Sequence, residues 1–292
     1  MGLPDLINFV WTHPLNAGNR MAALGRVARW QVASRLLTGP IALPFVEGTS
    51  LLATRGMTGA TGNWYCGLHE VRDMGFVLHL LRPGDHFLDV GANVGSYTVL
   101  AAGAVGARVT CVEPIPATFI NLQRNIALNG LSAAVNAWQG GLSDSPGTLR
   151  FTEGLDTVNH VLAEGEAAPS VDVPVRTVDD LVGSNIPVLI KIDVEGHERS
   201  VLLGATRTLA NPCVLGIVME TNGSGARYGV DDYQLVALME SHGFSAYGYD
   251  PFGRRLLDAT QTDGNTVFVR DKAAVEVRLR NSKRYRLING TI

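Results

Sequence analysis

Cysteine is scarce: Cys66, Cys111 and Cys213 are the only three in 292 residues, an odd number without a CxxC pair. That excludes a disulfide framework and a zinc knuckle, and makes the reducing cytoplasm the simplest compartment. Long apolar runs are missing as well. No stretch reaches the roughly 18 apolar residues of a membrane span, and MGLPDLINFVWTHPLN lacks the basic start and apolar core of a secretory signal. Leu6 stands where a myristoylation signal after Met1-Gly2 needs Ser or Thr. Charge is sparse: only 17% of residues are charged and the formal net charge is -3. Such a chain has no general attraction for phosphate backbones, so nucleic acid is not the expected partner. Repeats and biased segments are absent.

What is present is apolar matter, 46% of the chain, enough for the core of a full-sized globular enzyme. Residues 20–37 repeat Met21, Leu24, Val27 and Leu36 at helical spacing until Gly39-Pro40 breaks the pattern. Residues 42–46 and 49–53 around Glu47-Gly48 suggest a hairpin with a two-residue turn, and residues 56–62 a glycine-rich connector. Val71, Met74, Leu78 and Leu81 form one stripe of a helix that Arg82-Pro83-Gly84-Asp85 ends. Strand candidates then follow at 86–90, 108–113, 134–139, 188–193 and 214–220, separated by helical stretches at 94–105, 118–128 and 198–209. This alternation predicts a parallel sheet covered on both faces. Residues 148–152 and 171–175 suggest a hairpin-like insertion around a mobile polar loop at 153–170. A helix at 231–242 and strands at 245–249 and 266–270, joined by a short link, close the pattern with an antiparallel pair. The expected division is an N-terminal helix and hairpin extension at 1–62, a main domain at 63–271 and a basic tail at 272–292. Arg278, Arg280, Lys283, Arg284 and Arg286 make that tail a solvated edge, with contact to an acidic substrate or a membrane surface as the functional alternative.

In a doubly wound sheet the ligand sits where the first strand turns into the first helix, and Asp89-Val90-Gly91-Ala92-Asn93-Val94-Gly95 occupies that turn. Gly91 and Gly95 permit a sharp turn and a close approach, and Asn93 offers a donor and an acceptor. The spacing is G-x-x-x-G; a dinucleotide loop needs glycine where Asn93 stands. Asp89 repels a pyrophosphate and suits an amino group instead. Glu113, ending VTCVEP, is placed to accept hydrogen bonds from ribose hydroxyls. The bland alternative is a pair of ordinary loop glycines and a solvated strand-end acid.

LIKIDVEGHE supplies the second cluster. Asp193, Glu195 and His197 are the candidate catalytic residues, with Asp193 or His197 as the proton acceptor from a hydroxyl; a helix-start histidine and helix-capping acids are the structural alternatives. Asp193, Glu195 and Glu220 also form an oxygen set suited to a hard cation, though common helix-start acids look the same and no metal is assigned. His69 and Glu70 precede the loop and are placed to pack over it.

Three ordered blocks, GLHEVRDMGFVLHLLRPGDHFLDVGANVGSYTVLAAGA, CVEPIPATFINLQRNIALNG and LIKIDVEGHERSVLLGA, closely resemble the FkbM-type methyltransferases, over about residues 65–270. The resemblance implies a class I methyltransferase fold: Rossmann-like, doubly wound, with a mostly parallel seven-stranded sheet and an antiparallel final strand. It implies S-adenosylmethionine as methyl donor and a hydroxyl acceptor on a sugar, glycan or natural product. By residue, Asp89, Gly91, Asn93 and Gly95 match the cofactor loop, Glu113 the ribose acid, and Asp193 and Glu195 the fourth-strand signature. A nicotinamide-dependent oxidoreductase and a non-catalytic cofactor-binding domain are the alternatives. The first is opposed by the loop spacing, the second by the presence of both Asp89 and Asp193. No NPPY-like tetrapeptide stands at the fourth strand, against amino-group methylation.

Overall fold

The computed structural model describes residues 2–155, 158–258 and 264–292. Two helices open the chain, Leu3–Thr12 (α1) and Arg20–Leu36 (α2), the second capped by Asn19, which accepts a hydrogen bond from Ala22 N at 3.0 Å. Ile41–Pro44 (β1) and Ser50–Ala53 (β2) then pair antiparallel. The link between them is longer than the expected two-residue turn, because Phe45 to Thr49 form a short 3-10 turn with Glu47 at φ 53°.

The expected glycine connector is instead a helix, Thr58–Cys66 (α3). Its glycines serve packing: a Cβ on Gly62 would lie 2.1 Å from His69 Nδ1. Val71–Leu80 (α4) follows, ended as the Arg82-Pro83 turn dictates.

Alternation then begins: His86–Val90 (β3), Ser96–Val99 continuing as a π-turn over Leu100–Val105 (α5), Arg108–Glu113 (β4), Pro116–Leu128 (α6) and Val135–Gln139 (β5). All five residues of β3 are buried, with Phe87 packed into one apolar cluster and Leu88 and Val90 into another, as a strand covered on both faces requires. Gly141–Leu142 (β6), Gly147–Thr152 (β7) and Ser170–Arg176 (β8) make a separate three-stranded sheet, so the expected insertion hairpin is present as β7 and β8. The loop between them is tied down where described: Thr152 N donates to His160 O, and Leu162 N to Arg150 O. Residues 156–157 of that loop lie outside the described residues.

Val178–Val182 (α7), Leu189–Ile192 (β9), Glu198–Leu203 (α8), Thr206–Ala210 (α9), Gly216–Thr221 (β10), Asp232–Ser241 (α10) and Ser245–Asp250 (β11) follow. The helix expected over 198–209 is two pieces, divided at Gly204, where a Cβ would meet Ser143 O at 2.1 Å. The large sheet has the order β12-β11-β13-β10-β9-β3-β4-β5, with Gly264–Val269 (β13) antiparallel to β10. These include the seven expected strands, the last of them antiparallel as expected. The eighth, Arg255–Asp258 (β12), extends the edge from what reads in the sequence as a short link; residues 259–263 of that link lie outside the described residues.

The C-terminal segment is folded rather than a solvated tail. Lys272–Arg280 (α11) buries Val275 and Leu279, and Arg286–Leu287 (β14) pairs with Gly290–Thr291 (β15). Two of its cations are spent internally, Arg278 on Asp85 and Arg280 on Glu276. Asn289 Nδ2 donates to Leu15 O, Asn16 Oδ1 and Cys66 O, tying this end to the N-terminal helices.

Candidate active site

Strand β3 is central, with β4 and β5 on one side and β9 and β10 on the other, so the order reverses at its carboxyl end. A cleft of about 260 Å³ opens there, lined by the loops after β3, β4 and β9, by Glu220 of β10, and by Thr58, His69 and Glu70 from the N-terminal side.

The loop after β3 turns through three left-handed residues, Gly91 at φ 75°, Asn93 at 51° and Gly95 at 90°. A Cβ on Gly91 would sit 1.8 Å from Asp193 O, so the two signature loops touch backbone to backbone. A Cβ on Gly95 would meet Leu122 at 2.6 Å, and Gly95 does not line the cleft. Every N-H from residue 91 to 95 has a partner: Gly91 and Ala92 donate to Val112 O, Asn93 to Glu113 Oε2 at 2.9 Å, Val94 to Asn93 Oδ1 at 2.7 Å and Gly95 to Ala92 O. None is left over for a pyrophosphate. Glu113, 5% exposed, also accepts from Ile115 N at 3.0 Å, and burial pushes its carboxyl up to about 7 against those two bonds.

Asp89 differs from expectation. It has no exposed surface, accepts from Thr98 Oγ1 at 2.7 Å, and leaves Oδ1 unpartnered inside the protein. Because side chains alternate along β3, its carboxylate packs toward the Thr98 helix and does not line the cleft.

Asp193 and Glu195 do face the cleft. Asp193 Oδ2 accepts from Lys191 Nζ at 2.9 Å, and that ammonium lies 4.9 Å from the Tyr97 ring centre. Burial lowers the Lys191 pKa, but Asp193, Asp89 and Glu70 outweigh it and the net shift is upward, so the lysine stays charged. Glu195 sits at φ 53°, in a loop held by Glu198 Oε1, which accepts from Val194 N and Gly196 N. Burial, then the neighbouring Asp193, raises the Glu195 pKa; the same two causes raise Glu220, whose Oε2 is buried without a partner. Carboxylate oxygens of Asp193, Glu195 and Glu220 lie within 4.8 Å of one another, a donor set able to hold a hard divalent cation.

His197 is turned away from the cleft. Its Nε2 shares a hydrogen bond with Ser143 Oγ at 3.1 Å and its ring packs edge-on against Tyr228, because the left-handed turn at Glu195-Gly196 sends the helix start away from the sheet edge. The candidate base His197 therefore does not line the cleft. His69 is the histidine that lines the cleft, beside Glu70, which accepts from Tyr97 OH at 2.7 Å. Lys191 and Tyr97 escaped the sequence reading; the one available signal was a lone lysine inside an apolar strand.

The methyltransferase FkbM domain model matches residues 89–246, from the end of β3 to the start of β11. The chain belongs to the FkbM methyltransferase family. It is 31% identical over 229 residues to the hexuronic acid methyltransferase AglP of Haloferax volcanii, covering 75% of this chain and 89% of that protein. It is 31% identical over 199 residues to the methyltransferase sdnD of Sordaria araneosa, with 56% and 74% covered. It is 29% identical over 203 residues to the 31-O-demethyl-FK506 methyltransferase FkbM of Streptomyces tacrolimicus, again 56% and 74%. The chain is therefore an S-adenosylmethionine-dependent methyltransferase. Its cleft fits that donor: the carboxyl groups of Glu70, Glu113, Asp193, Glu195 and Glu220 line it against one ammonium, Lys191, an acceptor-rich wall that suits a sulfonium better than a phosphate.

Proposed function

We propose that the enzyme O-methylates a hydroxyl of a sugar, glycan or natural product, working in the cytoplasm, with residues 63–271 as its catalytic domain. The observation that carries the reading is the carboxylate group at the end of β9 and β10, facing the cleft opposite the glycine loop. The names of the relatives support the substrate class, since one is a hexuronic acid methyltransferase and another a 31-O-demethyl-FK506 methyltransferase.

Bound S-adenosylmethionine supplies an electrophilic methyl group. Ala92, Asn93, Val94 and Glu113 line the cleft, which supports Asn93 as a contact for the donor's amino-acid end and Glu113 for its ribose. Asp193 keeps Oδ2 on Lys191, while Oδ1 has no hydrogen-bond partner among the described residues. That oxygen accepts the hydroxyl proton of the acceptor as its oxygen attacks, and the lysine fixes the carboxylate's direction. Glu220, which burial and then the neighbouring Asp193 raise to about 9, retains a proton to donate to a neighbouring acceptor oxygen.

The three clustered carboxylates favour a second reading of the same centre, in which a divalent cation binds the acceptor oxygen. Incubating the enzyme with labelled methyl donor and uronic-acid glycosides or polyhydroxylated metabolites, with and without chelator, tests both. Base-stable label in a methyl ether supports O-methylation; label confined to nitrogen or to carboxyl esters refutes it, and loss of transfer on chelation selects the cation.

A further inference from the structure

The outward surfaces of α1 and α2 are unlike the rest of the protein. Seven of the sixteen large apolar side chains exposed among the described residues fall within the first 37. On α2, Met21, Ala28, Val32 and Leu36 recur at spacings of seven, four and four, one face of a helix, opposite the buried Ala23, Val27 and Trp30. Leu36 is 76% exposed and Met21 70%. Arg29 and Arg35, three residues before and after Val32, border the stripe on its two sides, and both are exposed. On α1, Leu3, Ile7 and Trp11 repeat every fourth residue and stand exposed, with Arg20 5.3 Å from the Trp11 ring centre.

Charge separates this region from the remainder. Residues 1–40 hold four arginines and one acid, Asp5, a formal +3 on a chain of -3, which leaves -6 elsewhere. We propose that α1 and α2 form an interfacial anchor that lies on an anionic phospholipid surface, with the apolar stripes at the headgroup boundary and Arg29 and Arg35 on lipid phosphates. No described helix is long and apolar enough to cross a membrane, so the pair lies on the bilayer rather than through it. A second copy of the chain fits less well, because α2 has no acid to meet those arginines in a symmetric helix-on-helix contact. The same pair supports one wall of the cleft: the Phe9 ring is 5.1 Å from that of His69, and His13 Nε2 is 3.3 Å from His69 O. Docking therefore sets the catalytic cleft beside the lipid surface.

Cosedimentation of the full chain with vesicles tests this, using phosphatidylcholine alone and phosphatidylcholine with a phosphatidylglycerol minority. The wild type binds the anionic vesicles, binds the neutral ones about tenfold more weakly, and is released by salt. Both V32D/L36D and R29E/R35E, checked for native circular dichroism, lose about tenfold or more in affinity. Absence of wild-type binding, or binding by V32D/L36D equal to wild type, overturns the anchor. So does a dimer in sedimentation velocity that V32D/L36D splits, which makes a second copy the occupant. Should either variant unfold, the lipid and salt dependence of the wild type decides alone.

Discussion

Asp193 and Glu198 stand five residues apart and do opposite work. Asp193, one third exposed and tethered by Lys191, faces the cleft; Glu198, 1% exposed, faces inward and holds the left-handed loop that carries Glu195. Asp193→Asn keeps the shape and loses the base, so kcat falls by about 10²- to 10⁴-fold with donor affinity little changed in calorimetry. For Glu198, burial, against three backbone hydrogen bonds, lifts the carboxyl from 4.5 to about 7. A folded state that holds its proton more tightly than the unfolded one is favoured below the unfolded pKa and loses that advantage as pH rises through the folded value. Thermal melts of wild type and Glu198→Gln therefore diverge between about pH 4.5 and 7, wild type losing ground, and run parallel above. At this scale the sequence placed Asp193 and Glu195 at the sheet edge that opens on the cleft, because both follow directly on the apolar run of β9. It did not give side-chain direction. His197 and Asp89 stand within the right motifs, yet one left-handed residue pair turns the first away and strand alternation buries the second.

Helix α6 shows how an element built for the sheet also holds the extension. Asn125, fully buried, accepts from Leu52 N of β2 at 2.7 Å and donates to Val94 O of the cofactor loop at 2.7 Å. Asn125→Ala strands both groups and costs about 3 kcal/mol in urea unfolding; a loss under about 0.5 kcal/mol shows that the bridge carries little. Periodicity exposed the strands of the parallel sheet, since continuous apolar runs between helical stretches leave few alternatives. It failed for α3, where glycines normally break a helix but here admit the His69 ring, and for β12, whose four residues pair only because β11 lies beside them.

Taken whole, the molecule is a family core closed by its two ends. Buried Arg26 donates to Tyr65 O and Asn16 Oδ1, and Asn289 reaches the same Asn16 from the far terminus. Such long-range pairings leave no periodic trace, which is why the C-terminal segment read as a tail while the sheet beside it was legible. The ends brace α3 and His69, and the core presents a cleft whose glycine loop has no spare N-H for a phosphate and whose walls are acidic. Isothermal calorimetry with S-adenosylmethionine on wild type and Glu113→Ala, paired with melting curves, tests that architecture most directly. The cleft described here predicts one donor per chain and a loss of about tenfold to a hundredfold in Glu113→Ala; equal affinity in the two folded proteins, or no binding by wild type, contradicts it.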